Sequence, residues 1–149
     1  MTQARVLIVD DDADILDLVQ DRLARAGIPA DIATSAERAL AMMRENLYVA
    51  AVADIHMPGI DGAHLISALK NLSPLVQVIM LTSDSTLRQV VDCADRGAVD
   101  FFAKSQNLDD LIQSVRDALQ RIDRWMNWMG FRDTQGAEVS ATARGGAQA

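Results

Sequence analysis

Short apolar runs of strand length alternate along this chain with longer stretches whose apolar residues recur every three or four positions. The short runs are Arg5 to Val9, Ala30 to Ala33, Val49 to Ala53, Val76 to Leu81 and Ala98 to Phe102. Most are apolar at successive positions, so both faces of each strand must be covered, as in parallel sheets. The longer stretches predict helices over Ala13 to Ala26, Ala36 to Glu45, Ala63 to Leu72 and Thr86 to Arg96, and from Leu108 onward. Asp12 stands as the cap of the first, Thr34 with Glu37 has capping-box spacing before the second, and Asn107 with Asp109 and Asp110 opens the last. Gly27 and Gly97 fall where helices should stop, and Pro29 and Pro74 fall in connections.

Five strands alternating with five helices predict a doubly wound α/β domain: a five-stranded parallel sheet with helices on both faces and right-handed crossovers. No internal sequence repeat is visible. Residues 132–149 are rich in Ala, Gly, Ser and Thr, with Val139 the one large aliphatic side chain, and are expected to form a disordered tail.

Length and charge narrow the function. The 149 residues fit one domain, and a domain of this size needs no disulfide or structural metal. The single Cys93 can form no internal bridge and suits a reducing cytosol. With 14 basic and 21 acidic residues the net charge is −7, the wrong sign for direct binding to nucleic acid. No apolar run approaches the ~18 residues of a membrane span, so a cytoplasmic protein is expected.

In open parallel sheets ligands bind beyond the carboxyl ends of the strands. Here those ends carry Asp10-Asp11-Asp12, Asp54, Thr82-Ser83 and Lys104. Asp10, Asp11 and Asp54 bring three negative charges against the one positive charge of Lys104. Two like charges about 4 Å apart repel by roughly 4 kcal/mol at an effective dielectric near 20, so the rim calls for a cation. An all-oxygen ligand set favours Mg²⁺. A carboxylate beside such an ion can attack phosphorus, with the lysine and the hydroxyl steadying the charged oxygens.

Four segments carry a resemblance. Val6-Leu7-Ile8-Val9-Asp10-Asp11-Asp12, Asp54-Ile55-His56-Met57-Pro58-Gly59-Ile60-Asp61-Gly62, Leu81-Thr82 and Phe101-Phe102-Ala103-Lys104 resemble, in order and on the right strand ends, the signatures of bacterial two-component receiver domains. The resemblance covers roughly residues 4–122. It implies the flavodoxin-like receiver fold with strand order 2-1-3-4-5, and a phosphoacceptor at Asp54 fed by a histidine kinase or a histidine phosphotransfer protein. It further implies Mg²⁺ held by Asp10, Asp11, Asp54 and the backbone carbonyl of His56. Thr82 would meet the phosphoryl group and swing inward, Lys104 would pair with Asp54 and then with the phosphate, and Phe101 would be the switch aromatic. Such a domain catalyses its own phosphorylation and dephosphorylation but is a switch, not a metabolic enzyme.

Two positions depart from the family pattern. Ser105 follows the lysine where proline is usual; a cis bond to a residue other than proline costs ~2.5 to 4 kcal/mol, so a trans or strained loop is expected there. Asp12 replaces a common Glu, and its capping role survives the change. The side chain of His56 is read as a loop residue bordering the pocket and not as a catalyst.

The last helix continues an apolar series through Leu108, Leu111, Val115, Ala118, Ile122, Trp125 and Met129, at the a/d spacing of a coiled coil. Residues 1–122 are taken as the receiver and 123–131 as an extension of its last helix. Trp125, Met126, Trp128, Met129 and Phe131 then have no core to enter, which predicts a helical homodimer contact or the start of a linker, the alternative being that the extension folds back on its own domain. Two alternatives stay open at this stage. One is a receiver-like interaction module that works without phosphate. The other is an aspartate-nucleophile phosphatase of the haloacid-dehalogenase type, suggested by the spacing of Asp10 and Asp12 but opposed by Asp14, where that family has Thr or Val.

Overall fold

A computed structural model of the chain describes residues 5–130. The expected tail and Phe131 lie outside the described residues. Five strands, β1 (Arg5–Val9), β2 (Ala30–Ala33), β3 (Tyr48–Ala53), β4 (Gln77–Thr82) and β5 (Ala98–Ala103), form one parallel sheet in the order β2-β1-β3-β4-β5. The helices are α1 (Ala13–Arg25), α2 (Ala36–Glu45), α3 (Gly62–Leu72), α4 (Leu87–Asp95) and α5 (Leu108–Met129). The expected fold class and strand order are those observed.

The doubly apolar strands explain the layering. Along β1, Leu7 and Val9 point into one core with Ala39, Met43, Leu65, Ile66 and Leu69 of α2 and α3. Val6 and Ile8 point into the other, with Leu16, Val19 and Leu23 of α1 and Leu111, Val115 and Ala118 of α5. Successive side chains on a strand alternate faces, so a strand without polar positions fills both cores at once. The edge strand β5 is covered less, and its Val99 is exposed. On the opposite edge, Asp31 accepts from Arg5 Nε at 3.0 Å and from the Tyr48 hydroxyl at 2.5 Å.

Two of the three expected helix caps are those observed. Asp12 caps α1, accepting from the N–H of Asp14 and of Ile15, and Asn107 caps α5, accepting from Asp109 N–H. The start of α2 is a correction. Its cap is Ser35, which accepts from Arg38 N–H at 3.1 Å, so the expected Thr34/Glu37 capping box does not form. A complete capping box opens α4 instead, between Thr86 and Gln89.

After β3 the chain makes a two-residue antiparallel pairing, His56–Met57 with Ile60–Asp61, around a turn in which Gly59 has φ +87°. That left-handed value favours glycine. Gly62 then packs against the loop: a Cβ placed there would lie 2.8 Å from Ile55 Cα and 3.2 Å from its carbonyl oxygen. Gly62→Ala is therefore expected to lower stability by about 1 to 3 kcal/mol, read from the urea midpoint, because backbone beside Asp54 must shift. A wild-type midpoint would show that the loop gives way freely.

α5 is 22 residues long. Leu108, Leu111, Val115, Ala118 and Ile122 are buried, whereas Trp125 is 38%, Met129 42% and Trp128 88% exposed. Gly130, at φ +91°, ends the helix. Among the described residues no helix is long and apolar enough to cross a membrane.

Candidate functional site

The site lies at the carboxyl edge of the sheet because three of its residues are the first to leave their strands. Each still donates its N–H to the last carbonyl of a neighbouring strand: Asp10 to Ala33 at 3.1 Å, Asp54 to Val9 at 3.1 Å and Lys104 to Thr82 at 2.9 Å. These bonds prolong the ladder by one step and fix where each side chain departs.

Asp10 and Asp54 are buried, at 2% and 5% exposure, while Asp11 is exposed on the rim. Carboxylate oxygens of the three lie within 4.8 Å of one another. Lys104 bridges the buried pair, with its Nζ 2.8 Å from Asp10 Oδ2 and 3.1 Å from Asp54 Oδ2. The other oxygens bond to backbone: Asp10 Oδ1 accepts from Asp12 N–H at 2.9 Å, and Asp54 Oδ1 from His56 N–H at 3.1 Å. The lysine therefore reaches both buried carboxylates despite Ser105. No cis peptide bond occurs among the described residues. The turn after Lys104 is tied by Gln106, whose side chain accepts from Ala103 N–H at 2.7 Å and whose own N–H donates to Ala103 O at 2.9 Å.

Charge and burial oppose one another here. Burial pushes the Asp10 carboxyl above the usual carboxylate range, and the hydrogen bond from Lys104 only partly offsets this. Burial pulls the Lys104 ammonium down, but its bonds to Asp10 and Asp54 outweigh it and leave the group above its ordinary value. For an acid with a raised native pKa, the stabilising contribution is complete below the unfolded value and is lost as pH rises through the native one. Near neutrality the ionised Asp10 is thus a burden on the fold. Asp10→Asn is expected to raise the denaturant midpoint in metal-free buffer, by about 1 kcal/mol, while weakening Mg²⁺ binding. A lower midpoint would contradict this balance.

Thr82 ends the strand whose last carbonyl receives Lys104 N–H, and Phe101 lies on the neighbouring strand β5. Thr82 is buried, and its hydroxyl donates to the carbonyl of Asp84 at 3.0 Å. Phe101 is partly buried against the core beneath α2, α3 and α4. A cavity of about 340 Å³ lies beside both, lined by Thr82, Ser83, Asp84, Ser85, Phe101, Phe102 and Ala103. One contact had no expectation attached: His56 Nε2 lies 2.6 Å from the carbonyl oxygen of Asp84. Any residue can supply a backbone carbonyl, so the sequence held no signal for it.

The donor set fits a hard divalent cation. Three carboxylates converge, two of them buried, and every available ligand atom is oxygen. Residues 6–116 match the response regulator receiver domain family. The chain belongs to that family. Among curated relatives, the receiver is 34% identical over 116 residues to the C4-dicarboxylate transport transcriptional regulatory protein DctD of Rhizobium meliloti, covering 78% of this chain and 25% of that one. It is also 34% identical over 121 residues to the transcriptional regulatory protein PrrA of Mycobacterium bovis, covering 81% and 52%. The chain thus spans between a quarter and about half the length of these relatives. Among solved structures, a CheY-like receiver domain protein from Methanospirillum hungatei superposes with a TM-score of 0.78 at 30% identity, over 83% of this chain and 98% of that one. The beryllofluoride-activated NtrC4 receiver domain dimer does so with a TM-score of 0.74 at 27% identity, over 78% and 97%. Membership in this family does not favour the phosphatase alternative.

Proposed function

We propose that this receiver takes a phosphoryl group onto Asp54 from the phosphohistidine of a histidine kinase or histidine phosphotransfer protein. The observation that carries this reading is the arrangement at Asp54, a buried carboxylate held by Lys104 and a backbone N–H within 4.8 Å of two further carboxylates. Asp10, Asp11, Asp54 and the His56 carbonyl would hold Mg²⁺, which when bound supplies positive charge to the phosphoryl oxygens.

This chain's own residues do the rest. A carboxylate oxygen of Asp54 forms the new O–P bond as the P–N bond to the donor imidazole breaks, and the electron pair leaves on the imidazole. Lys104 lies between Asp10 and Asp54 and can turn one of its N–H donors to a phosphoryl oxygen without leaving Asp10. Thr82 gives up Asp84 and turns its hydroxyl to the same group, and Phe101 moves towards the space beside it. The new group adds about −1.5 to −2 charges, and the change is passed to the face made by α4, β5 and α5. Hydrolysis of the acyl phosphate resets the switch. A cytoplasmic setting goes with these partners and agrees with the lone, buried Cys93.

Incubation with acetyl phosphate and Mg²⁺, followed by intact mass, tests the reading: a gain of one phosphoryl group is expected. A chain that keeps its unmodified mass while remaining folded would leave the phosphate-independent module as the better account.

The second part of the proposal concerns assembly. Residues 1–122 form the receiver body, and the helix beyond them serves as a contact between two copies. The exposed Trp125 and Met129 continue the buried stripe of α5 in the same three-and-four spacing, and the exposed Trp128 lies next to Met129. Sedimentation of the full chain is expected to report a dimer that Trp125→Glu with Trp128→Glu converts to a monomer. A wild-type chain that sediments as a monomer would remove this contact.

A further inference from the structure

The Asp84 carbonyl oxygen has two contacts that reach it from different loops. The Thr82 hydroxyl donates to it at 3.0 Å from within its own loop, and His56 Nε2 meets it at 2.6 Å from the loop that follows Asp54, 28 residues away in sequence. A carbonyl oxygen can only accept, so His56 Nε2 carries the proton. The phosphoacceptor reading, on which this inference rests, requires Thr82 to release that oxygen when its hydroxyl turns to the phosphoryl group.

We infer that His56 is a positioning residue for the switch: its Nε2–H keeps hold of the Asp84 carbonyl while Thr82 lets go. Two consequences follow from the shared acceptor. The carbonyl never loses its last protein donor, so freeing the hydroxyl costs less than it would with Thr82 alone. The loop between β4 and α4 also stays tied to the loop bearing Asp54, so the hydroxyl rotates about a fixed backbone instead of dragging its loop along. Two bonds from backbone N–H groups hold the frame on either side: His56 N–H donates to the Asp54 carboxylate Oδ1, and Lys104 N–H to the Thr82 carbonyl. With these in place the Thr82 side chain is the part left free to turn.

The test uses beryllofluoride as a mimic of the acyl phosphate, with Mg²⁺ saturating, on the full chain. His56→Phe keeps a ring of similar size and loses the donor, whereas His56→Gln places an amide N–H at comparable reach. His56→Phe is expected to bind beryllofluoride about two- to tenfold more weakly than wild type, beyond any change in its Mg²⁺ affinity measured alone, and His56→Gln to recover most of the loss. In a Thr82→Val background, where no hydroxyl leaves Asp84, the cost of His56→Phe should shrink towards none. In the metal-free protein, ring nitrogen shifts of His56 should report the Nε2–H tautomer.

Equal or tighter binding by His56→Phe overturns the inference, as does a cost that persists undiminished in the Thr82→Val background. A Gln variant no better than Phe, or a His56 ring protonated on Nδ1 alone, overturns it too. Wild-type protein that takes no beryllofluoride defeats the phosphoacceptor reading itself, a result distinct from any of these.

Discussion

Asp54→Asn is expected to gain no phosphoryl group from acetyl phosphate under conditions in which the wild-type chain gains one, a complete loss in the intact mass spectrum. The substitution is nearly isosteric. Its carbonyl oxygen can still accept from His56 N–H, as Asp54 Oδ1 does at 3.1 Å. What changes is the other end of the group: an amide nitrogen replaces the oxygen that accepts from Lys104 Nζ at 3.1 Å, bringing donor against donor. The negative charge that makes the carboxylate a nucleophile is gone as well. Removing one of three clustered carboxylates lowers their mutual repulsion, so the variant should stay folded, with an unaltered circular dichroism spectrum. A phosphoryl group still taken up by this variant would place the acceptor elsewhere.

Lys104→Met should produce the largest loss of stability among single substitutions in the site. The side chains of Lys104, Asp10 and Asp54 are 14%, 3% and 6% exposed, so removing the ammonium strands two carboxylates away from most solvent. Breaking a buried pair from one side costs about 3 to 5 kcal/mol, and the remaining exposure of Lys104 argues for the lower figure. The pH dependence gives this a signature. Without the lysine nothing but its backbone bond offsets the burial that pushes the Asp10 carboxyl up, so its stabilising contribution is complete below the unfolded value near 3.8 and is lost as pH rises through the native one. The deficit against wild type should therefore grow from acid towards neutral pH in urea titrations. In the wild type the raised Lys104 works at the other limit: its contribution is complete below the unfolded lysine value and is lost only as strongly alkaline pH passes the native one. Mg²⁺ should return part of the lost stability to the variant, since a ligand that binds only the folded state stabilises it by mass action. A midpoint equal to wild type at neutral pH would show that Asp10 and Asp54 do not depend on Lys104.

The parts legible in the sequence were those written in side chains with one plausible environment. Val6 to Val9 and Val49 to Ala53 have no polar position to turn to water, so they had to lie between two layers, and the acidic residues ending them had to share an edge. The start of α2 was harder, because Thr34 and Ser35 are adjacent hydroxyls with nearly equal capping power. The extended backbone at Ser35, φ −150° and ψ 161°, aims its side chain at Arg38 N–H and decides between them. Ser105 stands where the family has proline, yet the turn there is held by Gln106, whose side-chain oxygen accepts from Ala103 N–H. The tie between His56 and Asp84 ends on backbone, and backbone oxygen has no letter in a sequence. The exposure of Trp128 was legible too, since it lies beyond the stretch that resembles a receiver and has no core to enter.

The last helix has one more consequence. Arg121 Nε bonds to Gln77 Oε1 at 3.2 Å, so at that point α5 is level with the first residue of β4. Residues 122–129 run on past that level for roughly 12 Å at ~1.5 Å per residue. At its other end the same helix is anchored near the carboxyl edge of the sheet, with Arg22 of α1 holding Asp109. It is one stiff shaft with a charged cluster near one end and an apolar tip at the other, so a small rotation at the anchored end would be carried to the tip as an equal turn.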